Sequence, residues 1–74
     1  MKSSEIDIRE SSDGYAVFFR KDYPDWEFYE IKLSELATSK GWDEWTSHLE
    51  KKIWYDFTIE TKLSNLVKAR RVGQ

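Results

Sequence analysis

The chain has 74 residues, carries a formal net charge of −2 and contains no cysteine. A chain of this length forms one domain, and the lack of cysteine excludes both a disulfide scaffold and a thiolate zinc site. Aromatic residues make up 16% of the chain, so a few large side chains must supply most of the buried area. We therefore expect a single domain over residues 1–74, with short flexible ends at 1–4 and 72–74.

The charge is unevenly distributed along the chain. Residues 1–50 contain six Lys or Arg and twelve Asp or Glu, a net charge of −6, whereas residues 51–74 contain six and two, a net charge of +4. Such asymmetry is typical of proteins whose ends face partners. The preference of a last helical turn for cations explains the basic end equally well.

The first half of the chain has the pattern of β-strands. Its apolar residues alternate with polar ones or form short aromatic and β-branched runs, which favour a pleated surface. Asp13-Gly14 and Pro24 lie between these runs and predict two turns. Short turns between consecutive strands indicate an antiparallel meander, whose strands we place at about 5–10, 15–20 and 26–33.

The third predicted strand carries large side chains on both of its faces. Strict alternation places Tyr29, Ile31 and Leu33 on one face and Trp26 and Phe28 on the other. One face of the sheet therefore packs on helices, and the other is partly exposed or also covered.

The second half of the chain has helical spacing. Ser34 is a predicted cap for a short helical turn that Gly41 closes. The apolar residues then recur every three or four positions, which indicates a helix over about 42–53. This stripe consists of Trp42, Trp45, Leu49 and Ile53.

Residues 53–61 fit two patterns. We favour a helix break near Asp56–Thr58, with either residue as cap, followed by a second helix over about 57–71. The alternative is a fourth strand at 53–60 before a short C-terminal helix. The predicted fold is thus α+β, a three-stranded antiparallel meander packed on an αα-hairpin.

The sequence contains no recognisable catalytic set. Its one histidine, His48, lies on the predicted helix, and its neighbours at helical spacing, Glu44, Trp45 and Lys52, include no hydroxyl or thiol nucleophile. No calcium loop, glycine-rich phosphate loop or nucleotide fingerprint is present. We expect a non-enzymatic protein that needs no metal and no cofactor.

The length of the apolar runs also indicates where in the cell the protein is found. The longest uninterrupted apolar run, from Tyr15 to Phe19, is too short to span a bilayer. The first residues do not have the apolar run of a signal peptide. We expect a cytoplasmic protein that has no contact with membranes.

Aromatic and acidic residues point to a protein partner. Trp and Tyr are common interface anchors, and an acidic surface steers basic partners. We therefore predict a small non-catalytic regulator or inhibitor, of the kind found among bacterial or phage accessory proteins, that occludes its partner's surface. The candidate partner-binding residues are Trp54, Tyr55, Asp22, Asp25, Trp26 and Glu27.

Two alternative functions remain at this stage. A nucleic-acid-binding module would use the basic C-terminal helix for phosphate contacts. A structural homo-oligomer, most simply a homodimer, would use the aromatic stripe as a symmetric interface. The candidate phosphate contacts are Lys62, Lys68, Arg70 and Arg71.

Overall fold

The fold was examined in a computed structural model, which describes residues 2–72 and the side chains of residues 2–68. The predicted fold class is confirmed, because a three-stranded antiparallel sheet packs against helices. After a short 3-10 helix at Ser3–Glu5, the elements are β1 (Ile6–Glu10), β2 (Tyr15–Arg20), β3 (Tyr23–Lys32), α1 (Leu33–Leu36), α2 (Ser39–Leu49) and α3 (Phe57–Val72).

The sheet has the predicted meander order, with β2 between β1 and β3. The turn between β1 and β2 depends on Gly14, whose φ of 85° lies in the left-handed region that favours glycine. Ser11 closes this turn, since its side-chain hydroxyl accepts a hydrogen bond from the Tyr15 N–H at 3.0 Å. The Asp-Gly signal in the sequence therefore marks a real hairpin.

Strand β3 contains a bulge that changes which side chains face the helices. Phe18 of β2 pairs with Tyr29, and the next residue, Phe19, pairs with Glu27, so Phe28 has no partner across the strands. The extra residue breaks the alternation. Phe28 and Tyr29 consequently both reach the helix side, and the prediction that they lie on opposite faces is wrong.

The first helices begin and end at different places from those predicted. Ser34 does not cap α1, which begins at Leu33. Gly41 does not end a helix but lies in the first turn of α2, where its N–H donates to the Thr38 hydroxyl at 2.9 Å. Residues 39–41 belong to α2 because Thr38 supplies the cap that the sequence pattern did not reveal.

Helix α2 ends at Leu49, four residues before the predicted end. The chain tightens there, since the N–H of Lys52 donates to the carbonyl of Leu49 at 2.8 Å. Ile53, which helical spacing placed in the apolar stripe, is 90% exposed. Its predicted burial is wrong because the helix no longer runs at that position.

Helix α3 begins as predicted after a cap at Asp56. The Asp56 carboxylate accepts hydrogen bonds from the N–H of Thr58 at 2.9 Å and of Ile59 at 3.3 Å. The hydroxyl of Ser3 donates to the same carboxylate. This hydrogen bond, with the two backbone N–H groups, holds the pKa of Asp56 below its usual range. Residues 53–60 form no strand, so the alternative with a fourth strand is wrong.

The core centres on Trp54, which lies in the loop between α2 and α3 and is only 8% exposed. Its indole contacts three rings of the sheet, with centroid distances of 5.3 Å to Phe18, 5.6 Å to Phe28 and 5.9 Å to Tyr29. We call these four residues the aromatic cluster. Aliphatic side chains from all the major elements complete the core, namely Ile6, Ala16, Ile31, Leu33, Leu36, Leu49, Ile59, Leu63 and Val67.

The other face of the sheet is covered by its own side chains. Val17 lies on this face and is only 2% exposed, although it is not part of the core cluster. The Arg9 guanidinium lies 4.7 Å from the centroid of the Phe19 ring on the same face. A layer of long and aromatic side chains thus shields the sheet where no helix packs.

Gly41 allows α1 and α2 to approach each other closely. A Cβ atom at this position would lie 1.8 Å from the carbonyl oxygen of Glu35 and 2.7 Å from the Thr38 hydroxyl. Because the nearest atom is the backbone oxygen of Glu35, it cannot move aside as the end of a flexible side chain could. Glycine is therefore required here by space rather than by backbone conformation.

We predict that Gly41→Ala destabilises the protein by about 1–3 kcal/mol, because the added methyl group overpacks the contact between α1 and α2. An ordinary exposed glycine in a helix would gain about 1 kcal/mol from the same change. Urea unfolding followed by circular dichroism measures the effect. Ser47→Ala, at an exposed position of α2, is the matched control and should change stability little. A Gly41→Ala protein as stable as wild type would contradict the close contact.

Candidate partner-binding surface

Two exposed aromatic rings lie at the hairpin between β2 and β3. Tyr23 is 56% exposed and Trp26 is 57% exposed, and acidic side chains adjoin them in the chain. We call this surface the hairpin patch. It consists of Asp22, Tyr23, Asp25, Trp26 and Glu27.

The irregular pairing of β3 explains this exposure. Arg20 pairs with Tyr23 and Phe19 pairs with Glu27, so residues 24–26 face no residue of β2. Pro24 is tolerated there because β3 is an edge strand. Trp26 therefore has no cross-strand neighbour to cover it.

Two arginines partly neutralise the negative charge of the hairpin patch. The Arg20 guanidinium lies 2.9 Å from the Asp22 carboxylate and 5.2 Å from the centroid of the Tyr23 ring. Arg9 pairs with Glu27 at 2.5 Å. These are exposed ion pairs, each worth about 0–1 kcal/mol, so a partner's cation can replace either arginine at small cost.

Asp25 differs from the other two carboxylates. It is exposed, and within residues 2–68 it has no ion pair closer than 4 Å. Its charge is therefore available to a partner without the loss of an internal contact.

The structure buries Trp54 and leaves Tyr55 half-buried. Trp54 lies in the aromatic cluster, where a partner cannot reach its ring, so its prediction as an exposed anchor is wrong. The Tyr55 hydroxyl is buried and has no hydrogen-bond partner. Burial, with the nearby charges of Glu60, Glu50 and Asp56, raises the pKa of Tyr55 to about 12.

The candidate phosphate contacts do not form one strip within the described side chains. The Lys62 ammonium donates to the Ile6 carbonyl at 2.9 Å and lies 3.5 Å from the Asp7 carboxylate. It joins α3 to β1 and is not a free cation. Lys68 is exposed. The side chains of Arg70 and Arg71 lie outside the described residues.

The single histidine lies on the surface of α2. His48 is exposed and packs edge-to-face on Trp45, with ring centroids 5.9 Å apart. Within the described part of the chain, no three His, Asp or Glu side chains are placed to hold a metal ion.

Most of the hairpin patch is predictable from the sequence, with Tyr23 as the exception. Asp22, Asp25, Trp26 and Glu27 were predicted to bind a partner, and the structure brings them to one hairpin. Tyr23 is not among the predicted residues, although the Pro24 that follows it favours an extended backbone at Tyr23 and an edge strand. Whether this hairpin binds a partner stays a prediction.

No helix among residues 2–72 combines the length and apolar character needed to cross a bilayer. Neither a protein-family model nor a curated protein nor a solved structure matches this chain significantly.

We predict that two tryptophan substitutions differ greatly in their effect on stability. Trp54→Ala should lower the free energy of unfolding by about 3–5 kcal/mol, because it empties the centre of the aromatic cluster. Trp26→Ala should change it by less than about 0.5 kcal/mol, since the ring is exposed. Urea denaturation of both variants tests this difference. A loss for Trp54→Ala as small as that for Trp26→Ala would place Trp54 outside the core.

We predict that Tyr55→Phe weakens the loss of stability at alkaline pH. In wild type, unfolded Tyr55 ionises near its ordinary pKa of 10.0, whereas folded Tyr55 keeps its proton up to about 12. The folded state then binds more protons than the unfolded state, so the free energy of unfolding falls as the pH rises through this window. Burial also raises the pKa of Tyr29. Tyr29 therefore contributes to the loss of stability in the same direction, and it is still present in the variant.

Unfolding curves of wild type and Tyr55→Phe between about pH 8 and pH 11.5 measure this effect. At neutral pH the variant should be as stable as wild type or up to about 1 kcal/mol more stable, because it lacks a buried hydroxyl with no partner. Parallel stability curves for the two proteins would contradict the assigned shift.

Proposed function

We propose that the protein is a small non-catalytic regulator or inhibitor that occludes a basic surface on a protein partner. The observation that carries this proposal is the hairpin patch, in which Tyr23 and Trp26 are each more than half exposed beside three carboxylates. Tyrosine and tryptophan are enriched among interface anchors, and these two rings lie within four residues of each other.

The charges of the hairpin patch suit a basic partner. Asp25 offers an uncompensated carboxylate, while Asp22 and Glu27 can exchange their arginine partners for cations of the bound surface. Acidic groups at a rim mainly speed association and select the partner. Trp26 and Tyr23 would supply the apolar contact at the centre.

The size of the molecule sets how much surface must take part. A standard interface buries about 800 Å² on each partner, which is about one sixth of the 4934 Å² accessible surface. A six-residue hairpin is too small to supply this alone. The footprint would therefore continue along the free edge of β3.

Nucleic-acid binding has less support. Of the proposed phosphate contacts, Lys62 is held against β1 by the Ile6 carbonyl and the Asp7 carboxylate. A phosphate would have to compete with both groups. Self-association remains a further alternative, in which the hairpin patch meets a second copy.

The proposal predicts that substitutions in the hairpin patch abolish partner capture without unfolding the protein. Affinity capture from a lysate of the native host, treated with nuclease, compares wild type with Trp26→Ala and Asp25→Lys. We expect each variant to recover at least about tenfold less of the specific partner, as is typical of an interface anchor. Added salt should weaken capture, because exposed charges are screened.

The matched control is Asp13→Lys, which makes the same charge change on the other hairpin turn and should retain capture. A photo-crosslinking amino acid at position 26 should label the partner, whereas one at position 47 on α2 should not. Capture that is unaffected by the position 25 and 26 variants would refute the proposal. Loss of all capture after nuclease treatment would favour nucleic acid, and recovery of the chain alone would favour self-association.

A further inference from the structure

A groove of about 700 Å³ lies between the end of the sheet and the first two helices. Tyr29 of β3, Glu35 of α1 and Glu44, Trp45 and His48 of α2 line it. Its volume is within the range of ligand sites, which are typically about 300–1,000 Å³. This groove involves neither the hairpin patch nor the basic residues of α3.

The aromatic wall of the groove is held in place. The Trp45 indole N–H donates to the Glu35 carboxylate at 3.0 Å, and the edge of the His48 ring packs near the indole, with centroids 5.9 Å apart. Trp45 also packs against the core on one side. The indole is therefore already ordered before a ligand binds. Binding does not include the entropy cost of immobilising this side chain.

The fixed charges in the groove favour a cation. Glu35 and Glu44 contribute two carboxylates to the groove, and Lys40 is the one lysine or arginine in its lining. Glu44 is exposed and makes no ion pair within residues 2–68. A carboxylate without a partner next to an aromatic face has the composition of a cation–π site.

We propose that this groove binds an arginine side chain of a peptide or protein. A guanidinium is planar, stacks on an indole or phenol ring, and donates two parallel hydrogen bonds to one carboxylate. The groove offers both features, with the Trp45 indole as the ring and Glu44 as the carboxylate. The Tyr29 ring in the lining already has the Lys52 ammonium 5.7 Å from its centroid. A lysine ammonium would use the charge but not the stacking geometry, so it binds more weakly. The inference does not rest on the hairpin patch or on its proposed partner.

The test is a titration of the full chain with N-acetyl-arginine-N-methylamide, followed by the indole N–H signals in ¹H–¹⁵N spectra. Trp45→Phe identifies the Trp45 signal among the four tryptophans. We expect a saturable shift of that signal, with a Kd on the order of millimolar for a single side chain. The corresponding citrulline derivative, which has the same shape without the charge, should produce no saturable shift, and the lysine derivative a weaker one.

Two single substitutions give opposite expected effects. Glu44→Gln should weaken arginine binding about threefold, and Lys40→Met should strengthen it about threefold, as for the loss of one partly screened charge. A general disturbance of the fold would weaken binding in both variants, so the opposite signs identify the charge of the groove as the cause. Asp25→Asn, which removes a carboxylate on the β2–β3 hairpin at the opposite end of β3 from α1, should leave the Kd unchanged.

Equal shifts with the arginine and citrulline derivatives would overturn the proposal, and so would the absence of any saturable shift at Trp45. Effects of the same sign in Glu44→Gln and Lys40→Met would also overturn it. None of these results would bear on the hairpin patch, whose test uses different variants and a different readout.

Discussion

The contact between Trp54 and the aromatic face of the sheet is the interaction on which the rest of the structure depends. The indole lies in the loop that joins α2 to α3, so the same contact positions the end of one helix and the start of the next. It requires the bulge in β3, because only the extra residue brings Phe28 to the helix side together with Tyr29. In a chain of 74 residues, four clustered rings replace the larger aliphatic core of a bigger domain.

The sequence pattern predicted what is encoded over short distances. The Asp-Gly turn, the three strands and the Asp56 cap all depend on neighbouring residues, and each is found. The errors occur where a pattern was continued past the point at which the backbone changes. Helical spacing extended beyond Leu49 placed Ile53 in the apolar stripe, whereas Ile53 is exposed and the core residue of this loop is Trp54, which the sequence offered as a partner-binding candidate. Strict alternation through the bulge misplaced Phe28 in the same way.

The candidate surfaces also differ in how far apart their residues lie in the sequence, and this determines whether they can be predicted from it. The hairpin patch was largely predictable because its members lie within six consecutive residues around a proline. The contacts of Lys62 with β1 were not predictable, because the two groups that bind its ammonium are 55 and 56 positions away in the chain. The arginine groove was missed for a related reason. It combines side chains from β3, α1 and α2, and none of these segments carries a motif that specifies the others.

The links between α3 and the N-terminal strand have a consequence for folding during synthesis. Lys62 bonds to Ile6, and Asp56 bonds to Ser3, so each link closes a loop of more than fifty residues. Both strand hairpins are local and can form as soon as they leave the ribosome. The outer edge of β1, however, gains its helix only after residue 62 has emerged. Because long-range contacts form slowly relative to local ones, this flank of the sheet stays uncovered until α3 has been synthesised and has docked on β1.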